Sequence, residues 1–581
     1  MKRLLNNHLS ILSVLLICSL ISHLTEAQYP FRNIASTAGI SDTKGAYGLY
    51  VNDFNNDHLE DILITFTNKS PVLYQNLNGH SFIDVSQQAR LSYEGKARTA
   101  IWVDVNNDGW ADVYVAGKED PDMLLINREG QFEDVTEEYG IFKVSNTFSV
   151  NIAEINQDEY LDIYLSNFLE QNMVLENDGS GLLKDKVNYH QLWDQGYSMA
   201  SIFFDYDNDG DDDLYLVHDA DQPNILYQKQ SDGSYLNVSS ESGADIAANG
   251  MGVDIADVNN DGCLDLYITN LDENKLLLND CNGRFSDISE TAGVNDKGMG
   301  WGTTFIDYNN DGWVDILACN DTYFSYYPNQ LFMNNGDLTF TSVQMSDDPE
   351  KTGSYGCTCT DINLDGKMDL AIANLNEGDP FQLLENISED RNKWTGFLLE
   401  GTSCNVQAIG TRVEVLDKQG VLHTDQVTGG NGYAAQGSSL IHFGLRQSDI
   451  DTVLIYWPDG MIQSFTNLEI NTYYQIIQGE TPIILNPSSS SSHGIKNVNL
   501  SVYPNPSTAS VVVALPQDLQ GHSIDYFLTD IKGKLLLTGT IVHSLQATEI
   551  DWSTQLESGL YILTLTNDSF RGVKKITILN E

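Results

Sequence analysis

The chain has 581 residues, 41% of them hydrophobic, and a formal net charge of −52. Such an acidic surface repels nucleic acid and anionic lipid. Beyond the amino-terminal leader, no segment approaches the roughly twenty consecutive apolar residues of a membrane-spanning helix.

Lys2 and Arg3 precede an apolar run from Ile11 to Ile21, and Thr25-Glu-Ala27 offers small residues for cleavage. Residues 1–27 therefore read as a signal peptide, with the mature chain starting near Gln28. Ile17 before Cys18 is too large for a lipoprotein signal. The next segment, Phe31-Arg-Asn-Ile-Ala-Ser-Thr-Ala-Gly-Ile, matches Phe285-Ser-Asp-Ile-Ser-Glu-Thr-Ala-Gly-Val far downstream almost position for position.

From Asp53 an acidic pattern recurs seven times at a spacing of about fifty residues, each time running into a short apolar strand. Its positions one, three, five, seven and nine are Asp53, Asn55, Asp57, Leu59 and Asp61; Asp104, Asn106, Asp108, Trp110 and Asp112; Glu154, Asn156, Asp158, Tyr160 and Asp162; Asp205, Asp207, Asp209, Asp211 and Asp213; Asp257, Asn259, Asp261, Cys263 and Asp265; Asp307, Asn309, Asp311, Trp313 and Asp315; Asp361, Asn363, Asp365, Lys367 and Asp369. A hard dication needs several oxygens converging at about 2.3–2.6 Å, and a tight loop presents them from alternate positions. Position seven varies freely, as a backbone carbonyl ligand allows. An EF-hand would add a Glu at position twelve and flanking helices, which the strand-like flanks exclude. The expectation is up to seven structural calcium ions; the bland alternative is a set of solvated hairpin turns.

The copies differ. The third has Glu154 at position one and Glu159 in place of the turn glycine, so a weak or empty site is expected there. His58 stands at the glycine position of the first, which tolerates positive φ better than a bulky residue would. The fourth carries the most carboxylates and is expected to bind tightest. Twenty-two carboxylates stand at positions one, three, five and nine, so without metal their repulsion should weaken the fold.

Each repeat continues through Asn-x-Leu, a glycine turn and a strand such as Phe132-Glu-Asp-Val, making a four-stranded unit that cannot bury a core alone. The seventh lacks that last strand after Leu383-Leu-Glu-Asn, and the stray copy at Phe31 supplies it. Exchange of this kind closes a ring, so residues 28–388 read as a seven-bladed β-propeller, with 28–40 as the closing strand of the last blade. These blades resemble the FG-GAP or VCBS repeats of the integrin α propeller, and the stretch from about 30 to 480 resembles the cartilage acidic protein family and its bacterial relatives.

Residues 389–480 form an all-β module by alternation. Ala408-Ile-Gly-Thr-Arg-Val, Gly429-Gly-Asn-Gly-Tyr, His442-Phe-Gly-Leu and Trp457-Pro-Asp-Gly give it a resemblance to the ASPIC/UnbV module. Gly429-Gly-Asn-Gly lacks the Lys-Ser/Thr and helix of a phosphate loop and reads as a glycine-rich hairpin. A Ser-rich linker follows at 481–496. Residues 497–581, with Tyr503-Pro-Asn-Pro and Gly559-Leu-Tyr, resemble the β-sandwich sorting domain of type IX secretion in the Bacteroidetes, which implies export to the cell surface or medium and a partner in that machinery.

After leader removal six cysteines remain, and buried unpaired thiols are expected; Cys357 and Cys359 point to opposite faces of one strand. Function beyond calcium is sought at the starts of the inner strands, where Tyr197, Met251, Met299 and Trp301 stand beside glycines. Aromatics at a channel mouth suit an extracellular glycan or a protein loop; equally, Trp301 could simply pack between blades. The alternative is a polysaccharide-directed hydrolase or lyase with its site in the propeller funnel, although no catalytic constellation can be named and no catalytic residue is assigned.

Overall fold

The fold is seen in a computed structural model that describes residues 29–485, apart from 42, 94, 119, 142–145, 323–326, 347–351, 377–378 and 390, and most strands of residues 496–578. The leader at 1–27 and the Ser-rich stretch at 486–495 lie outside the described residues. Two compact units divide between Leu485 and Asn486.

The first unit contains seven antiparallel sheets. Their innermost strands are Ala46–Asn52, Ala97–Val103, Thr147–Ala153, Ser198–Phe204, Gly250–Ala256, Gly300–Ile306 and Ser354–Thr360, which define blades one to seven. In blade two, Ala97–Val103 pairs with Asp112–Gly117, then Met123–Asn127, then Phe132–Asp134. The second strands, such as Asp61–Phe66, are buried throughout because a neighbouring blade covers each face. That is why they read as continuous apolar runs. Outer strands bury their first residue, a large apolar side chain, and turn the next to solvent, as at Phe82–Asp84 and Leu183–Asp185.

Each innermost strand packs against the next, and that of blade seven packs back against that of blade one, so the ring is closed. Blade seven takes its outer strand from the beginning of the chain. Phe31–Asn33 pairs with Gln382–Asn386, Phe31 opposite Asn386, and Ile34 N–H donates to Leu383 O at 2.8 Å. Phe31 packs with Tyr308, Leu331 and Leu370, so closure buries an aromatic side chain as well as backbone.

Residues 393–484 add two further four-stranded sheets. One runs Leu440–Arg446, Lys393–Glu400, Thr472–Ile477, Ile483–Ile484, and the other Leu422–Gln426, Arg412–Asp417, Ile450–Tyr456, Ile462–Thr466. Ile483–Ile484 falls in the stretch read as linker; a two-residue edge strand is too short to show a period. The core of this module, including Phe397, Val413, Phe443 and Ile455, is continuous with Ile101 and Ile152 of the propeller. The second unit, treated by itself, sets the sheet containing Ser523–Asp530 and Gly559–Asn567 against Ser501–Tyr503, Ser510–Ala514 and Ala547–Asp551, around Val511, Val513, Leu528, Ile550 and Leu563.

The cysteines depart from expectation. Cys263 and Cys281 form a disulfide, with Cα atoms 5.5 Å apart. The turn between third and fourth strands returns beside the acidic loop of the same blade, a proximity invisible along the chain. Cys319, Cys357, Cys359 and Cys404 are free thiols.

Candidate metal rim and aromatic face

Each acidic loop joins the first and second strands of a blade, so all seven lie on one rim. In loop two, Asp104 accepts the N–H groups of Asp108 (3.1 Å) and Gly109 (2.7 Å), Asn106 accepts Asp108 N–H (2.9 Å), and Asp108 accepts Trp110 N–H (3.0 Å). The bonds from positions five and six to position one recur in loops one, four, five, six and seven. Such a loop is coiled inward by its own N–H groups and gathers its carboxylates on the concave side. His58 and Glu159 take the positive φ of the absent glycine, at 67° and 76°.

Position seven has one constant role. The N–H of Leu59, Trp110, Tyr160, Asp211, Cys263, Trp313 or Lys367 donates to the position-five carboxylate in every loop. Its side chain is therefore free to serve elsewhere, as Cys263 does in the disulfide. Position nine has a second role that the repeat pattern conceals. Asp61, Asp112, Asp162, Asp213, Asp265, Asp315 and Asp369 each accept the N–H of the last residue of the third strand, at 2.6–2.7 Å, clamping loop to hairpin.

Burial, with repulsion from neighbouring carboxylates, pushes Asp53, Asp104, Asp205 and Asp361 up to about 7 and Asp257 to about 6. The same causes hold the position-nine carboxyls well above their ordinary range. Buried like charges on this scale call for a counter-charge. Loop four offers the clearest fit to a cation: carboxylate oxygens of Asp205, Asp207 and Asp209 lie within 4.8 Å of one another. Moreover, Asp207 Oδ1 and Asp213 Oδ2 are buried without a donor.

The second module sits on this rim. Gln407 Oε1 accepts Asp104 N–H (2.6 Å), and Gln426 accepts Asp205 N–H (3.1 Å) while donating to Asp212 (2.6 Å). Arg412 donates to Gly262 O (2.6 Å), His442 meets Asn310 Oδ1 (2.7 Å), and Tyr473 O–H donates to Asp361 Oδ2 (2.7 Å). Ser438 O–H binds Glu60 of the first loop. Burial pushes His442 down to about 3 and His423 to about 4, so both are neutral. Between this module and blades five and six lies a cavity of about 140 Å³ whose walls include Asp254 and Asp425. Burial raises these carboxyls to about 6 and about 7.

The glycine-rich hairpin proves to be an insertion into the propeller axis. Gly429 O accepts Ile152 N–H (3.1 Å), Gly432 N–H donates to Val253 O (2.8 Å), and Leu49 N–H donates to Ala434 O (3.1 Å). Ala435–Gln436 adds a parallel strand to Ala46–Asn52, and the Gln436 side chain bonds both backbone groups of Trp102. A Cβ on Gly429 would stand 1.7 Å from Ile152 O, so only glycine fits. The funnel is thus filled by chain from the second module.

At the strand ends remote from the rim, Tyr433 is 0% exposed and its hydroxyl meets that of Tyr47. Trp301 stacks on Tyr355 at 4.4 Å and touches Tyr433 at 5.0 Å. Tyr355 O–H donates to Asp321 (3.1 Å). Of the four residues expected on this face, Met251 is 4% exposed and wedged into the cluster, and Trp301 is half-buried. Tyr197 lies edge-on to Phe168 at 5.0 Å, and Met299 bridges to Leu271 farther out. The repeat pattern did not reveal Tyr47, Phe148, Phe168 or Tyr355, half of which come from blades without the glycine signature; the Arg98 guanidinium covers the Phe148 ring at 3.8 Å.

The family profile described as FG-GAP-like repeat matches residues 53–115, 104–165, 155–216, 205–268, 264–318 and 307–372. One described as ASPIC and UnbV matches 401–483, and one described as secretion system C-terminal sorting domain matches 501–579. Cartilage acidic protein 1 of Xenopus tropicalis is 25% identical over 483 residues, covering 74% of this chain and 73% of that protein. Its Homo sapiens counterpart is 23% identical over 481 residues, covering 74% and 72%. Among solved structures, a lectin of Agrocybe aegerita is similar over 59% of this chain and 94% of its own, at 14% identity and a TM-score of 0.37. So low a score bears on no ligand.

Proposed function

The chain belongs to the FG-GAP-like repeat family, and from that premise we propose a calcium-stabilised extracellular binding module whose ligand is a glycan held on the aromatic face opposite the rim. The sorting domain marks the protein for type IX export to the cell surface or medium, where calcium is plentiful and glycans are exposed. The half-buried stack of Trp301 on Tyr355 carries the reading. Flat π-faces receive the C–H face of a sugar ring, the partly exposed Arg98 guanidinium offers a polar partner for its hydroxyls, and buried Asp321 fixes the Tyr355 ring through its hydroxyl. On the opposite side the rim is taken up by the second module, which leaves this end of the axis for a ligand. Calcium serves as scaffold, holding the well-formed acidic loops that carry that module.

A glycan array probed with the exported protein, followed by titration calorimetry on the best binder, tests the assignment. Trp301→Ala is expected to weaken binding by ten-fold or more while leaving the melting temperature within a few degrees. Equal affinity in a folded variant would remove the aromatic face from consideration and favour a protein partner elsewhere.

A further inference from the structure

One blade of the seven departs from the others at the end of its third strand. The last residue of the third strand is Asn76, Asn127, Asn177, Asn279, Asn334 or Asn386 in six blades, and its side-chain amide donates to the position-two carbonyl of the preceding loop: Ile362, Phe54, Val105, Tyr206, Val258 and Tyr308 respectively, at 2.7–2.9 Å. In blade four the residue is Lys229, only 5% exposed, and its ammonium donates to Glu154 O of loop three at 3.1 Å. The blade that departs from asparagine is thus the one facing the loop that departs from the acidic pattern.

We propose that the Lys229 ammonium is the resident cation of loop three, so that the ring carries six divalent-ion sites and one internal ion. The inference rests on the calcium reading above for the six, but the loop-three assignment has its own geometry. Loop three keeps the bond from Glu159 N–H to Glu154 Oε1 (2.8 Å). Among the described residues it lacks the bond from position five to position one that coils every other loop. Lys229 N–H donates to Asp213 Oδ1 of loop four (2.7 Å) while its ammonium reaches across to Glu154 O of loop three (3.1 Å), so the charge is delivered to loop three and the backbone stays with loop four. A buried ammonium needs acceptors and nearby negative charge, and it repels a divalent ion placed beside it. The longer Glu154 side chain also displaces the position-one carboxylate from the place an aspartate gives it. Asn156 Oδ1, buried without a donor, is the oxygen a seventh ion would take, so the ion count decides.

Equilibrium dialysis of the full-length mature protein against radiolabelled calcium at saturation gives that count. The expected result is six ions per chain, rising to seven in the triple variant Lys229→Asn, Glu154→Asp, Glu159→Gly. Seven in the natural chain, or no gain in a folded triple variant, overturns the assignment. No bound calcium in the natural chain would refute the scaffold reading alone. Lys229 is then judged by thermal unfolding in EGTA, where Lys229→Met is expected to melt several degrees lower; an unchanged melting temperature overturns its role as the internal ion.

Discussion

The calcium reading can be tested most sharply at Asp209, position five of loop four. Its carboxyl is held above the ordinary range by burial and by Asp207 and Asp211, and it stands within 4.8 Å of the ligand oxygens of Asp205 and Asp207. Asp209→Asn keeps the acceptor for Asp211 N–H (3.0 Å) and removes one negative charge. For dissociation constants of ~0.1–1 mM, about 10 mM free calcium stabilises the fold by about 1.4–2.7 kcal/mol per site. With an unfolding entropy near 2.1 cal/mol/K per residue over roughly 450 residues, each kcal/mol moves the melting temperature by about 1 °C. Chelating all six well-formed sites should then lower it by about 8–16 °C, and losing one site by about 1–3 °C. The variant should therefore melt lower than the natural protein in calcium. In EGTA the order should invert, because a carboxylate has left a cluster of like charges. Differential scanning calorimetry in the two buffers measures both. The same displacement in calcium and in EGTA would show that Asp209 contributes only packing, and the calcium argument would fail at its best site.

Gly429→Ala drives a methyl group into Ile152 O, and a loss of at least ~3 kcal/mol is expected, with faster proteolysis of residues 393–485; intact protease resistance would mean the insertion is not tightly seated. Reducing Cys263–Cys281, which closes a loop of sequence separation 18, should cost about 3 kcal/mol, read as a lower urea midpoint in dithiothreitol. Asp425, raised to about 7 by burial, binds a proton in the folded state that the unfolded chain gives up near its ordinary value of about 3.9. Its stabilising contribution is therefore greatest near pH 4 and is lost as pH rises through 7. Asp425→Asn should accordingly gain on the natural protein between pH 5 and pH 8 in urea unfolding, and a pH-independent difference would place the carboxyl in water.

The acidic loops could be read along the chain because the oxygens that would face an ion all lie within nine consecutive residues, whereas the third-strand N–H that clamps position nine lies farther along. Ring closure could be read because the Phe31 segment duplicates a motif missing from the seventh repeat. Other features depend on residues that are remote in sequence. Tyr473 meets Asp361 across more than a hundred residues, and nothing in either segment marks the pair. The Gly429 segment has the composition of a hairpin, and only the narrowness of the axis reveals why its glycines are needed. Lys229 looks like an ordinary strand-end lysine until it is set against six asparagines. The aromatic face was legible only in part: the glycines beside Trp301 and Tyr197 drew attention to it, but Phe148 and Phe168 have no such neighbours, and Tyr47 and Tyr355 come from blades far apart in the chain.

The closing strand at Phe31 imposes an order of events on the growing or translocating chain. The first folded residues to emerge have no partner until Gln382–Asn386 arrives, and the axis stays unfilled until residues 429–437 follow. Early blades must therefore wait with exposed edges and an empty centre for most of the journey. A chain cut anywhere between blade seven and the Gly429 segment would leave a bracelet clasped around nothing, which makes the propeller and its second module one folding transaction instead of two.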